Sequence, residues 1–163
     1  MGRRFKGVIS DPRVAAFVET HRLHSSIPVD LSVIYDLYDV QFLPFENRWF
    51  RGFIYREPDI ALIGVNAHFD AHQRRAIIVH ELVHDLVGDM NWLCAPSRDW
   101  WYRHVEDRAQ HLAAQVLIPR TPFDEALKSG ASLADLQHVF EVPLDLLKRR
   151  YQRLAPRQLQ WCS

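Results

Sequence analysis

The stretch Arg74–Gly88 reads RRAIIVHELVHDLVG and contains H-E-L-V-H. Ile77, Ile78 and Leu82 recur around it at helical spacing, so a helix is expected from about Asp70 to Val87, with Gly88 as its stop. A helix turns once per 3.6 residues, which puts His80 and His84 on one face, able to aim a ring nitrogen at one ion. Zinc binds imidazole at roughly 2.0–2.1 Å and keeps one position open in catalytic sites. Glu81 points beside such an ion rather than at it, and from there can take a proton from a zinc-bound water. The spacing therefore marks His80 and His84 as zinc ligands and Glu81 as the general base. The bland alternative is two core histidines that fall four apart by chance. The strong helical context and the glutamate between them weigh against it.

A catalytic zinc takes a third protein ligand. Glu106 opens EDRAQHLAAQVLIP, a second helical pattern with Ala109, Leu112, Ala113 and Val116 on its apolar side. Small alanines three and seven residues after Glu106 let two helices approach closely, which brings Glu106 towards the metal helix. Gln110, one turn on, is placed to hold that carboxylate. Asp89, His104 and His111 remain rivals. Asp85 follows His84 directly and faces about 100° away.

Working outward, Ser10-Asp11-Pro12 starts a helix expected to reach about Arg22. IPVDLSVIYDLYDV starts another, with Asp30 as cap and Leu31, Ile34, Leu37 and Tyr38 on one face. VQFLPF, RWFRGFIYRE and IALIGVN are rich in β-branched and aromatic residues and read as three short strands, the last two a hairpin. After the metal helix come the loop DMNWLCAPSRD and a helix from about Trp101 to Leu117, ended by Pro119. TPFDEALKSG reads as a helix capped by Thr121, with Pro122 first, acids in its first turn and Gly130 after its end. Ser132 opens a helix to about Phe140, and a last one spans about Pro143 to Leu154. Two helices, a small antiparallel or mixed sheet, then a run of helices make an α+β fold.

The 163 residues suit one domain spanning 1–163, with a core over about 27–122 and a C-terminal helical part over about 122–156. Formal net charge is zero, so the whole chain carries no electrostatic footprint of a nucleic-acid binder. The two cysteines, Cys94 and Cys162, lie far apart, which suggests a reducing compartment. The basic N-terminus lacks an apolar signal region, and no apolar run is long enough to span a bilayer. A cytoplasmic protein with no membrane partner is expected.

RRAIIVHELVHDLVG followed by EDRAQHLAAQVLIP resembles the ImmA/IrrE family of zinc metallopeptidases. The family pattern is an arginine-rich entry to H-E-L-G-H, then E-x-x-A-N-x-F-A-x-x-L-L-x-P; Glu106, Ala109, Ala113, Leu117 and Pro119 match in register. IPVDLSVIYDLYDV, IALIGVN and the closing helices are similar to the family's flanking segments, so the resemblance covers about residues 27–154. It implies a zincin-like metallopeptidase domain with zinc ligands His80, His84 and Glu106 and general base Glu81. Val83 stands where the family has Gly, Gln110 where it has Asn, and Leu112 where it has Phe. The resemblance further implies a partner: a helix-turn-helix repressor, cleaved at one site to release phage, mobile-element or stress genes. A non-cleaving antirepressor that binds its repressor, with zinc structural or vestigial, is the alternative.

Four further expectations follow from the residues. A peptide substrate would add as a strand along an exposed sheet edge, with IALIGVN the candidate. A second donor for the developing oxyanion would come from Tyr102, Arg103, His104 or His111. The aromatic loop NWLCAPSRDWWYRH links the two metal-bearing segments and reads either as a substrate-contacting rim or as a packed tether. SLADLQHVFEVPLDLLKRRYQRL has the spacing of a helix-turn-helix, but its second helix has Leu144, Leu147 and Tyr151 to bury, which favours packing or repressor docking over DNA contact.

Overall fold

A computed structural model describes residues 9–47, 49–89 and 100–154. Along them run α1 (Pro12–Thr20), a 3-10 turn (Leu23–Ser25), α2 (Ser32–Leu37), β1 (Asp39–Leu43), β2 (Gly52–Glu57), β3 (Ile60–Asn66), α3 (Ala71–Val87), α4 (Trp100–Leu117), α5 (Arg120–Lys128), α6 (Leu133–Phe140) and α7 (Leu144–Leu154). The fold is α+β, with the helices after the sheet forming the C-terminal half. No helix among the described residues is long and apolar enough to cross a membrane.

The centre is α3, and both its ends are set locally. The Asp70 carboxylate accepts the Gln73 N–H at 2.9 Å, and the Gln73 side-chain oxygen accepts the Asp70 N–H at 3.1 Å. At the other end Gly88 adopts φ 75°, a left-handed conformation that glycine enters without a Cβ clash, and its N–H closes on the Asp85 carbonyl. Between them Ile77, Ile78, Val79, Leu82 and Val83 are buried on several sides of the helix. A helix apolar nearly all round belongs inside. The sheet packs on one side of α3, α4 on another, and α1 closes a third.

The sheet is mixed. β1 runs parallel to β3 from Asp39↔Leu62 to Leu43↔Asn66, and β2 pairs with β3 antiparallel as the expected hairpin. The order is β1-β3-β2, so IALIGVN is the central strand and has no free edge. That overturns its assignment as the substrate edge. Ile63, Val65 and Asn66 are fully buried, so the strand's apolar run reflects burial on both faces, a signal that does not distinguish centre from edge. The free edges belong to β1 and β2.

Other boundaries shift for local reasons. α1 ends at Thr20, because Arg22 turns left-handed at φ 52°. Asp30 makes a turn ahead of α2, accepting the Ser32 N–H at 2.9 Å, and Leu31 takes the cap position with no side-chain bond. Leu37 is half-exposed while Leu31, Ile34 and Tyr38 are buried, because the backbone leaves the helix at Tyr38. α5 starts at Arg120 rather than at a Thr121 cap, and the acids lie beyond its first turn. Pro122 still falls where a missing N–H breaks no bond. Ser132 caps α6 as expected, in a capping box with Asp135. The aromatic loop from Asn91 to Asp99, with Cys94, lies outside the described residues, as does Cys162.

Part of the basic end of α7 is engaged with α4 and the residue after it. Arg150 is 6 % exposed and donates to the Ile118 carbonyl at 2.9 Å. Arg149 and Arg153 both pair with Asp107 of α4. These contacts tie α7 to α4, while Lys148 and Arg153 stay exposed.

Candidate metal centre

The pairing of α3 with α4 assembles the site. Ala109 and Ala113 are buried against α3, so the two helices lie close, and Glu106 comes to the face that carries His80 and His84. The His80 Nε2 and His84 Nε2 are 3.0 Å apart. Glu106 Oε2 lies 3.1 Å from His80 Nε2, and Oε1 lies 3.2 Å from His84 Nε2. The three form one group able to hold a metal ion. A tetrahedral ion with ligands at about 2.0 Å has donors about 3.3 Å apart. The three separations, two of them to different Glu106 oxygens, are each within a few tenths of an ångström of that, and two imidazoles with one carboxylate form a donor set that zinc accepts.

The rivals are elsewhere. Asp85 turns to the other side, where its carboxylate accepts the Tyr38 hydroxyl at 2.5 Å and Arg56 at 2.6 Å. His111 faces Gln115, whose amide donates to its Nε2 at 2.8 Å. Asp89 lines the cleft, but neither it nor His104 joins the metal-binding group. Among the described residues Gln110 makes no hydrogen bond to Glu106; it lines the cleft one turn further along.

Electrostatics separate the two glutamates. Burial opposes ionisation of Glu106, but its bonds to His80 and His84 outweigh this and hold the carboxyl well below its ordinary range. Glu81 is pushed up by burial, an effect the positive field of His80 and His84 only partly offsets. Burial resists protonation of His84, yet Glu106 and Glu81 raise its proton affinity overall. Glu81 is 5 % exposed, and among the described residues no hydrogen bond or ion pair holds it. A largely buried carboxylate facing a cleft and holding a raised proton affinity is characteristic of functional sites.

Glu81 and the donor triangle open on a cleft of about 360 Å³. One wall is the start of β2 with the turn before it, Trp49 to Gly52 and Ile54; the other is α4, including Tyr102 and Val105. Of the four candidate oxyanion donors, Tyr102 lines this cleft, and burial with the nearby Glu106 and Glu81 keeps its phenol protonated. Val83 is fully buried in the core and does not line the cleft.

Sequence reasoning missed Gly52. A Cβ there would meet Ile77 Cγ2 at 2.7 Å and the Gly64 carbonyl at 2.8 Å, with Glu81 Oε1 at 3.4 Å. Glycine lets β2 press onto α3 beside Glu81. A lone glycine within an aromatic strand run is the signal that could have found it.

The family model for the IrrE N-terminal-like domain, peptidase family M78, matches residues 38–152. No curated protein matches the chain.

Proposed function

The chain belongs to the peptidase M78 family of IrrE N-terminal-like domains, and on that premise we propose that it is a zinc-dependent endopeptidase. Its substrate is a helix-turn-helix repressor, which it inactivates by cleavage at one site, releasing phage, mobile-element or stress genes. The observation that carries this reading is Glu81: largely buried, without a hydrogen bond among the described residues, and in the field of His80, His84 and Glu106. A purely structural zinc site has no need of that carboxylate.

In this reading His80, His84 and Glu106 hold zinc, which would supply Lewis acidity towards a peptide carbonyl and towards water. Glu81 takes the proton of the attacking water and returns it to the departing amine. Its raised proton affinity suits both transfers. Tyr102 donates a hydrogen bond to the oxygen that gains negative charge. The substrate backbone lies along β2. The Arg51 carbonyl accepts the Asn66 N–H at 2.9 Å, so strand alternation turns the backbone groups of Gly52 and Ile54 outward, at the cleft. The engagement of Arg149 with Asp107 and of Arg150 with the Ile118 carbonyl favours packing over DNA contact.

The test mixes zinc-loaded protein with the helix-turn-helix repressor encoded nearest its gene and reads intact masses. Wild type should make one discrete cut. Glu81→Gln should make none while keeping zinc, and Tyr102→Phe should slow cleavage by about 10²–10³-fold with zinc retained. Cleavage by Glu81→Gln at the wild-type rate would remove the general-base assignment. No cut by wild type, with a stable complex formed by both it and Glu81→Gln, would make the protein a binding antirepressor.

A further inference from the structure

The cleft does not end at the metal-binding group. Beyond Glu106 it continues along α3 and α4 to Ala76 and Ala113, and there Pro143 and Leu146 close it. Those two residues belong to the α6–α7 corner, the segment whose sequence has helix-turn-helix spacing. The corner is fixed to both metal-bearing helices. Arg75 of α3 reaches Glu141 at 3.7 Å, and Arg149 of α7 pairs with Asp107 of α4. The end wall therefore keeps its distance from the donor triangle.

The chemistry of that end is specific. Ala76 and Ala113 are small and leave space, and Ile77 and Leu146 add aliphatic lining. Arg149, the cation at the rim, is already matched by Asp107, and Asp145, the acid of the same corner, is exposed to solvent, so the buried lining at this end, Ala76, Ala113 and Leu146, is aliphatic. We infer that the α6–α7 corner is the specificity wall of the cleft, with Leu146 setting its depth. The chain accepts peptides that place an aliphatic side chain on the α7 side of the scissile bond. The inference rests on the endopeptidase reading above and deepens it to a substrate class.

Hydroxamates that bear a methyl, isobutyl or benzyl side chain test it without knowledge of the natural client. Binding to the zinc-loaded full chain is read by calorimetry, with zinc content and unfolding midpoint measured for every variant. Wild type should favour isobutyl over both others by at least about tenfold. Leu146→Ala should shift the preference towards benzyl by a similar factor. Leu146→Val, which leaves a smaller gap in the packing, should shift it in the same direction by less. An affinity order indifferent to the side chain, or one that both Leu146 variants leave unchanged, would overturn the inference while the metal centre stands. A chain that holds zinc but takes up no hydroxamate would lack an open coordination position, and both this inference and the endopeptidase reading would fall. A chain that takes up no zinc would remove the metal centre itself.

Discussion

Gly52 shows how closely the site depends on single atoms. The strand beside Glu81 approaches α3 because nothing projects from this position; a methyl group would stand 2.7 Å from Ile77 and 2.8 Å from the Gly64 carbonyl. Neither neighbour yields easily, since one is a buried core side chain and the other is strand backbone. Gly52→Ala should therefore push β2 off α3 and destabilise the protein by about 1–3 kcal/mol, as overpacking does. Urea unfolding measures this, and a midpoint equal to wild type would show that the strand has room to spare. The variant should also cleave more slowly, because the displaced strand edge is the proposed substrate backbone partner. Glu81 lies at the same contact, so the glycine and the glutamate are two parts of one arrangement, although only the glutamate is marked by a motif.

The elements are joined by polar contacts at their ends. The Val116 carbonyl near the end of α4 and that of Ile118 just after it are met by two bases: half-buried His24 donates to Val116 at 2.8 Å, and buried Arg150 donates to Ile118. Burial lowers the proton affinity of both, with Arg150 brought down to about 10 and His24 held below its ordinary 6.5. For His24 the unfolded chain binds more protons than the folded one at any pH between the folded value and 6.5. Its contribution to stability is complete above 6.5 and is lost as pH falls through that window. His24→Gln can donate a similar bond but does not titrate. Wild type should thus lose stability relative to His24→Gln between about pH 7.5 and about pH 5. Urea midpoints of both proteins across that range decide the matter; a constant gap would show that His24 does not titrate on unfolding. A second clasp joins α3 to β2, where Asp85 accepts both Tyr38 and Arg56. Asp85 follows His84 directly, so this clasp also fixes the rotation of the metal helix against the edge strand.

At the scale of the molecule, the donor triangle bridges α3 and α4, and an ion held there would add a cross-link between two helices already packed through Ala109 and Ala113. The core itself extends well away from it, from Val14 and Ile34 to Phe123 and Phe140. Metal removal should therefore lower the melting temperature without unfolding the chain. At a free zinc concentration about 100 times its dissociation constant, the stabilisation should be about 2.7 kcal/mol, or roughly 5–11 °C for a domain of this size. Thermal melts with zinc and with a chelator measure it, and His84→Ala should abolish the difference. A shift that persists in His84→Ala would place the stabilising ion elsewhere.

The sequence by itself determined what is local. The spacing of His80 and His84, the Asp70 and Ser132 caps, the Gly88 stop and the hairpin of β2 and β3 all depend on residues a few positions apart, where backbone geometry leaves little choice. The apolar stripe of α4 was legible for the same reason. What only the tertiary structure decided are the relations between distant segments. From spacing alone Glu106, Asp89, His104 and His111 all remained open as the third donor. The packing of α4 against α3 is what brings Glu106 alone among them into the group. Strand order was hidden because a buried apolar run satisfies a central position as readily as a covered edge, so β2 had to be found as the cleft edge in space. The fate of the α7 cations was hidden as well: an arginine meets solvent or a carbonyl according to what packs beside it, and here Asp107 and Ile118 do.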